Sequence, residues 1–240
     1  MTEHGLGRRV PQDFSHVDKH PFLLAEAAPI TVETMLPLPR YRTFYDQGND
    51  GSCTGFSASW AMSILHRQKF DALWNYHQAQ LVDEFADTPP AEGSTVRAAF
   101  DVLRTQGPMR VVRSADVGPV IGEELAANTW ATTIDEMRAA LASGMPTVWG
   151  INWHSSFDTP VKVNREWWIG VDAAGKPLVD LGPVRGGHAI CQFGASDKRQ
   201  AGRWVNSWGA GWSPVFVPYP VLERLLAEDG ECCVPVLKTV

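Results

Sequence analysis

Asp46-Gln47-Gly48-Asn49-Asp50-Gly51-Ser52-Cys53-Thr54-Gly55-Phe56-Ser57-Ala58 brings an amide and a thiol to the threshold of an apolar segment. The Gly- and Ser-rich loop ends where a helical pattern begins. Phe56, Ala61, Ile64, Leu65 and Phe70 form an approximate 3.6-residue stripe, and no Pro interrupts them between Ser52 and Phe70. With Ser52 as the expected N-cap, Cys53 falls in the first turn of that helix. Oriented N–H groups at a helix start favour an anion, so a thiol placed there is predisposed to ionise. Gln47, a short reach upstream, can donate a hydrogen bond to negative charge formed on a neighbouring carbonyl.

Outward from that loop, the residues before it differ from those after it. Positions 1 to about 45 carry Pro11, Pro21, Pro29, Pro37 and Pro39 and little periodicity, which predicts an extended arm or a short pro-segment-like lead. Downstream, Ser94 is expected to cap a helix through Val96, Ala99, Phe100 and Leu103 that Gly107 ends. Thr133-Ile134-Asp135-Glu136 reads as a capping box, with Gly144 as the stop. Strand patterns follow at 146–151, 167–169, 189–193, 203–206 and 215–217, then a short helix over about 221–227.

Helices early and antiparallel strands late predict an α+β fold in two packed halves, with a cleft between them. The expected division is an arm over 1–45 and a domain over 46–240. Within the domain, a helical half covers about 46–110, a strand-rich half about 111–218, and a C-terminal helix and tail 219–240.

The strand half carries two further signatures, Gly186-Gly187-His188-Ala189-Ile190 and Trp204-Val205-Asn206-Ser207-Trp208-Gly209. An imidazole can take the thiol proton, and an amide carbonyl can hold the ring through its other N–H, the role a carboxylate plays in serine triads. The chain thus offers nucleophile, base and orienter in the order Cys53, His188, Asn206. Cys53 alone reads as a small buried hydrophobe, the commonest state of a free cysteine; the partner motifs make it a nucleophile candidate.

At these residues the chain resembles the papain-like cysteine peptidases. The pattern comprises Gln47-Gly48, then Gly51-Ser52-Cys53, then Gly187-His188-Ala189, then Asn206-Ser207-Trp208-Gly209-Ala210-Gly211-Trp212, and the likeness runs from about Tyr45 to Tyr219. It implies a helical half packed on an antiparallel sheet or barrel half. It also implies a cysteine peptidase whose Cys53, His188 and Asn206 form the triad and whose Gln47 helps the Cys53 N–H hold the oxyanion. Trp208 would shield the His188–Asn206 bond, Trp212 would line the leaving-group side, and Gly93 would offer backbone hydrogen bonds to an extended substrate. Asp50 stands where plant and animal members have a cysteine, and Thr54 where they have Trp. This looks like the bacterial and phage branch without disulfides. Ser213-Pro214 replaces the usual Gly after Trp212. Peptides or proteins are the implied substrates. Kept beside this are a papain-fold binding or structural component of a phage particle or secreted assembly, and a related thiol amidase or transamidase.

Composition narrows the rest. A net charge of −6 over 240 residues, with no basic stripe, argues against nucleic acid. No apolar run reaches a membrane span, and the N-terminus has no apolar signal region, so a cytoplasmic or virion-associated protein is expected. Cys53, Cys191, Cys232 and Cys233 are too few and too unevenly spaced for a disulfide scaffold, and no zinc-type spacing occurs; neither metal nor cofactor is expected. Cys191 reads as core and Cys232–Cys233 as inert. His154, expected in a loop after a strand, competes with His188 but lacks its flanking glycines. The other five histidines read as surface or packing residues, and the acidic run from Asp83 to Glu92 as a solvated loop.

Overall fold

The computed structural model describes residues 4–22, 31–39, 44–86, 92–111, 125–212 and 214–238. In chain order these form α1 (Ser15–Lys19), β1 (Glu33–Met35), α2 (Cys53–His66), α3 (Ala72–Val82), α4 (Val96–Thr105), β2 (Leu125–Trp130), α5 (Ile134–Ala142), β3 (Thr147–His154), β4 (Val161–Val163), β5 (Glu166–Trp168), β6 (Val184–Ser196), β7 (Ala201–Val205), β8 (Val215–Pro218), α6 (Tyr219–Ala227) and β9 (Glu231–Leu237). Ser213 and residues 87–91 of the acidic run lie outside the described residues.

Helix α2 is buried from Cys53 through Ile64. That explains its weak stripe, since a helix covered on all sides has no polar face to contrast with an apolar one. Its small residues permit close approach. A Cβ added at Gly55 would stand 2.4 Å from the Ala72 carbonyl oxygen, so α3 seats directly on α2. The helix ends earlier than its stripe suggests, because Arg67 adopts a left-handed backbone (φ 59°). Helix α3 is absent from the sequence reading. Its apolar residues trace no single stripe, although Asp71 caps it by accepting from the Trp74 N–H at 3.0 Å. The cap of α4 is Thr95, whose hydroxyl accepts from Ala98 N–H, and not Ser94. The Thr133–Glu136 capping box before α5 is present in full.

The strands form one nine-stranded sheet in the order β2-β9-β3-β6-β7-β8-β5-β4, with β1 added on β6. Pairing is antiparallel except for β5 with β8, where Trp168 opposes Phe216. The α+β expectation holds; the sheet is open, so the barrel alternative does not. The C-terminal tail is in fact β9, held between β2 and β3. Period-2 alternation divides the core between the two faces. Val148, Ala189, Cys191, Val205 and Cys233 pack with α2, α3 and α4. Trp149, Ile151, Ile190, Trp204 and Cys232 pack with α5 and α6. Cys232 and Cys233 therefore face opposite cores, and all four cysteines are free and buried. Burial pushes the thiols of Cys191, Cys232 and Cys233 far up, consistent with inert packing residues.

Candidate active site

Three elements converge on the sulfur. Cys53 opens α2, His188 lies on β6 opposite Ile151 of β3, and Asn206 follows the last residue of β7. The Ala189 N–H donates to Cys53 Sγ at 3.3 Å, which sets the sulfur against the residue after His188. Ser52 occupies the N-cap position, but its hydroxyl makes no capping bond. Two turns along α2, the Trp60 indole N–H donates to the Asn206 carbonyl at 3.3 Å, so the helix that Cys53 opens also anchors Asn206. That contact escapes sequence reading, although Trp60 sits two helical turns from Cys53 on the same face. Trp60→Phe is expected to leave the Asn206 carbonyl buried without this donor. Unfolding stability should fall by about 1–3 kcal/mol, measured by denaturant titration.

Asn206 Oδ1 accepts from the Ser207 N–H at 2.8 Å and lies 2.9 Å from His188 Nε2. A backbone N–H can only donate, so the side-chain atom facing it is the oxygen, and His188 Nε2 must carry its proton. Nδ1 is then the bare, basic nitrogen, and it has no hydrogen-bond partner among the described residues. The ring is enclosed by aromatics. Trp153 meets it edge-on at 4.8 Å and Trp208 lies at 4.9 Å, while Trp153 also contacts Trp208 and Trp212. Trp153 escapes the sequence reading because the expected strand ends at 151, whereas β3 continues to His154.

Gln47 is tied to the same corner. Its N–H donates to the Ser207 carbonyl at 2.8 Å, and its Oε1 accepts from Ser207 Oγ at 2.6 Å. With the oxygen so engaged, Nε2 is the donor. It reaches the carbonyls of Asp50 at 2.8 Å and Gly5 at 3.1 Å.

Gly5 belongs to the N-terminal arm, and the arm fills the cleft. His4 stacks on Trp208 at 4.5 Å with rings 8° apart. The Gly7 backbone lies beside the Cys53 sulfur, where its N–H favours the thiolate. The Ser94 N–H donates to the Gly7 carbonyl at 3.0 Å, the Arg9 N–H to the Ser94 carbonyl at 2.8 Å, and the Arg8 N–H to the Gly187 carbonyl at 3.0 Å. Glycines allow this approach: a Cβ at Gly7 would stand 1.8 Å from the Gly51 oxygen. His4, expected to be a surface or packing residue, instead covers the site. Gly93 has a left-handed backbone (φ +100°), but its N–H goes to the Tyr76 hydroxyl and its carbonyl accepts from Gln80. Ser94 is the residue that pairs with an extended chain here.

Enclosure favours the neutral forms of both Cys53 and His188. Burial pushes the Cys53 thiol up to about 11, against hydrogen bonds from Ala189 and Gly7 that lower it. Burial also holds the His188 imidazole down at about 4, against the Asn206 bond that raises it. His154 is the last residue of β3 rather than a loop residue, and it does not compete. Its two ring nitrogens contact the Gly182 carbonyl at 2.8 Å and Glu228 at 2.7 Å. Among the described residues no group of three or more His, Cys, Asp or Glu could hold a metal, and no helix is long and apolar enough to cross a membrane.

No protein-family model and no curated protein sequence matches the chain. Solved structures do. The cysteine protease xylellain from Xylella fastidiosa superposes with a TM-score of 0.71 at 19% identity, over 99% of this chain and 98% of that one. A proCathepsin B from Trypanosoma congolense gives 0.66 at 14%, over 97% and 87%. The digestive procathepsin L2 of Tenebrio molitor gives 0.62 at 17%, over 98% and 78%. The chain has the papain-like fold that these structures share.

Proposed function

We propose that the chain is a papain-like thiol peptidase held closed by its own amino-terminal arm. The observation that carries this reading is the bond from His188 Nε2 to Asn206 Oδ1. It leaves Nδ1 bare in a ring whose neighbour, Ala189, touches the Cys53 sulfur. In the open enzyme Nδ1 takes the Sγ proton, and the thiolate forms a bond to the peptide carbonyl carbon. Gln47 Nε2–H and the Cys53 N–H hold the oxyanion. His188 then returns the proton to the leaving amine as the C–N bond breaks, and a water deprotonated by His188 hydrolyses the thioester.

In the closed chain the Gln47 donor and the sulfur are both covered by the arm. The Gly5 carbonyl occupies the Gln47 donor, and a Gly7 N–H, not a carbonyl, meets the sulfur. The arm also runs parallel to Ser94, and leads away from Cys53 as it passes that residue. An acyl portion feeding its carboxyl end toward the sulfur must run the other way, so the arm is seated without being cleaved. The Trypanosoma congolense and Tenebrio molitor structures are likewise of procathepsins.

The test is hydrolysis of a peptide library, read by mass spectrometry, by a full chain whose arm is loosened by Gly7→Val. Cleavage that disappears in the added Cys53→Ala variant supports the reading. No cleavage, and no labelling of Cys53 by a peptide epoxide, overturns it in favour of a papain-fold binding or structural component.

The closed state carries a pH signature. His188 sits at about 4 against an ordinary 6.5, so the closed form binds fewer protons and loses stability as pH falls through that window. Cys53 sits at about 11 against an ordinary 9.0, so its contribution is lost as pH rises between those values. Protection of Cys53 from alkylation and the unfolding free energy should both be greatest between about pH 6.5 and 9, weakening by about 1.4 kcal/mol for each pH unit crossed within either window. A flat profile from pH 4 to 7 would count against the His188 assignment.

A further inference from the structure

Ser94 pairs with the arm because the peptide before it is turned the right way. A trans peptide is planar, and its C=O and N–H point in opposite directions. The Gly93 carbonyl and the Ser94 N–H belong to one such plane, so whatever grips the carbonyl aims the N–H. Gln80 Nε2 grips it at 3.3 Å, and on the other side the Ser94 N–H reaches the Gly7 carbonyl at 3.0 Å. A carbonyl can only accept, so the Gln80 atom facing it is the nitrogen. The same nitrogen donates to the Tyr76 hydroxyl at 2.9 Å, and that hydroxyl also accepts from the Gly93 N–H at 2.9 Å. Tyr76 therefore holds both the amide of Gln80 and the peptide on the other side of Gly93.

The grip matters because Gly93 has a left-handed backbone (φ +100°) and no side chain to keep it there, so its peptides turn at little cost. No disulfide fixes this segment, since all four cysteines are free. One face of α3 does so instead. Tyr76 and Gln80 are four residues apart, and three further on Asp83, the C-cap, accepts from the Ser94 hydroxyl at 2.8 Å. Helix α3 comes this close because Gly55, two residues beyond Cys53 on α2, leaves it room: a Cβ there would stand 2.6 Å from the Tyr76 nitrogen. We propose that Gln80, held by Tyr76, is a positioning residue that aims the Ser94 N–H at the extended chain in the cleft, arm or substrate. It acts through the Gly93–Ser94 backbone and not on the reacting atoms. Without it the plane is free to turn over and present the Gly93 carbonyl, an acceptor that repels the carbonyl of an incoming chain. The substrate half of this rests on the peptidase reading of the same cleft.

The Gly7 carbonyl and the Arg9 N–H straddle Arg8 as they meet Ser94. A substrate running the other way offers both groups from one residue, as directly opposed residues of an antiparallel pair do. With Gly7 beside the sulfur, that residue immediately precedes the one attacked. The probes are therefore acetyl-Ala-Ala-Gly with a fluorogenic amide after Gly, and its analogue with sulfur, a weaker acceptor, replacing the carbonyl oxygen of the second alanine. In the full chain carrying Gly7→Val, the oxygen peptide is expected to exceed the sulfur peptide about 5–10-fold in kcat/KM, the worth of one hydrogen bond. The difference falls on KM, because the bond is made equally before and during reaction. Adding Gln80→Ala or Tyr76→Phe is expected to bring the ratio below about 2-fold, as the bond is lost. A ratio that survives in both variants, or an equal loss on both peptides, the mark of general loosening, overturns the proposal. Should Tyr76→Phe fail to fold, the partly exposed Gln80 still decides. Calorimetry on the same proteins measures binding of a peptide spanning residues 4–12, with oxygen or sulfur at the Gly7 carbonyl. An oxygen preference that Gln80→Ala abolishes, with no hydrolysis by the Gly7→Val chain, sinks the peptidase reading and keeps the positioning role; hydrolysis with a preference that Gln80→Ala leaves intact does the reverse.

Discussion

Replacing His188 by Ala in the arm-loosened chain is expected to lower kcat/KM by roughly 10⁴–10⁶-fold, since triad members act as a unit and removing the base costs nearly as much as removing the nucleophile. The structure gives the loss a specific form. His188 Nδ1 is the one basic atom that the Asn206 bond leaves free in a fully buried pocket, and no second imidazole can stand in. His154 is committed to Gly182 and Glu228 on another part of β3. His4 reaches Trp208 only as part of the arm. The change also empties a ring-sized space between Trp153 and Trp208, so some stability is lost with it. The melting temperature and the rate are therefore read together. A folded His188→Ala protein that keeps more than about a hundredth of the wild-type rate would refute the assignment, because general base catalysis alone is worth at least that much.

The opposite change in reactivity is expected from Gly7→Val in the otherwise intact chain. A Cβ there would collide with the Gly51 backbone, which cannot rotate out of the way, so the arm must lift from Cys53. Its departure rewets a thiol that burial had raised to about 11. If the thiol returns only to its ordinary value of 9.0, its thiolate population at neutral pH rises about 100-fold, and pairing with His188 raises it further. The rate of iodoacetamide alkylation of Cys53 at pH 7, located by peptide mapping, measures this. An unchanged rate would mean that the arm does not control access to the sulfur. Ser94 and Gly187 remain available in the variant, so a synthetic peptide spanning residues 4–12 should restore protection.

How legible the site was varies with its local chemistry. The cysteine at a helix start after Gly51-Ser52, the histidine after Gly187 and the Asn206-Ser207-Trp208 run could all be found from residue type and order, because each role requires a particular functional group. The same is true of the capping box at Thr133, where two side chains satisfy two backbone donors within one turn. Helix α3 and strand β9 were missed because neither carries a one-sided pattern of its own: α3 is covered by its sequence neighbours α2 and α4, and β9 by β2 and β3, which lie far from it in the chain. The arm was visible only as a Pro-broken lead. Its path depends on Gly5, Gly7, Gly93 and Gly187 leaving room for one another, a fit between surfaces that no local pattern encodes. Nothing local in the sequence marks Glu231, which meets Arg8 only because β9 carries it there.

By itself the sequence determined which groups this protein offers for chemistry: a thiol at a helix start, an imidazole and two side-chain amides. Those groups are legible because a side chain's functional group is covalent and a helix's first turn is local. Only the tertiary structure decided that these groups are sealed and neutral, that the seal is the chain's own first residues, and that a buried glutamate holds an arginine beside the sulfur. Desolvation, close backbone approach and ion pairing across more than two hundred residues are properties of the packed chain, and they arise only when its distant segments meet.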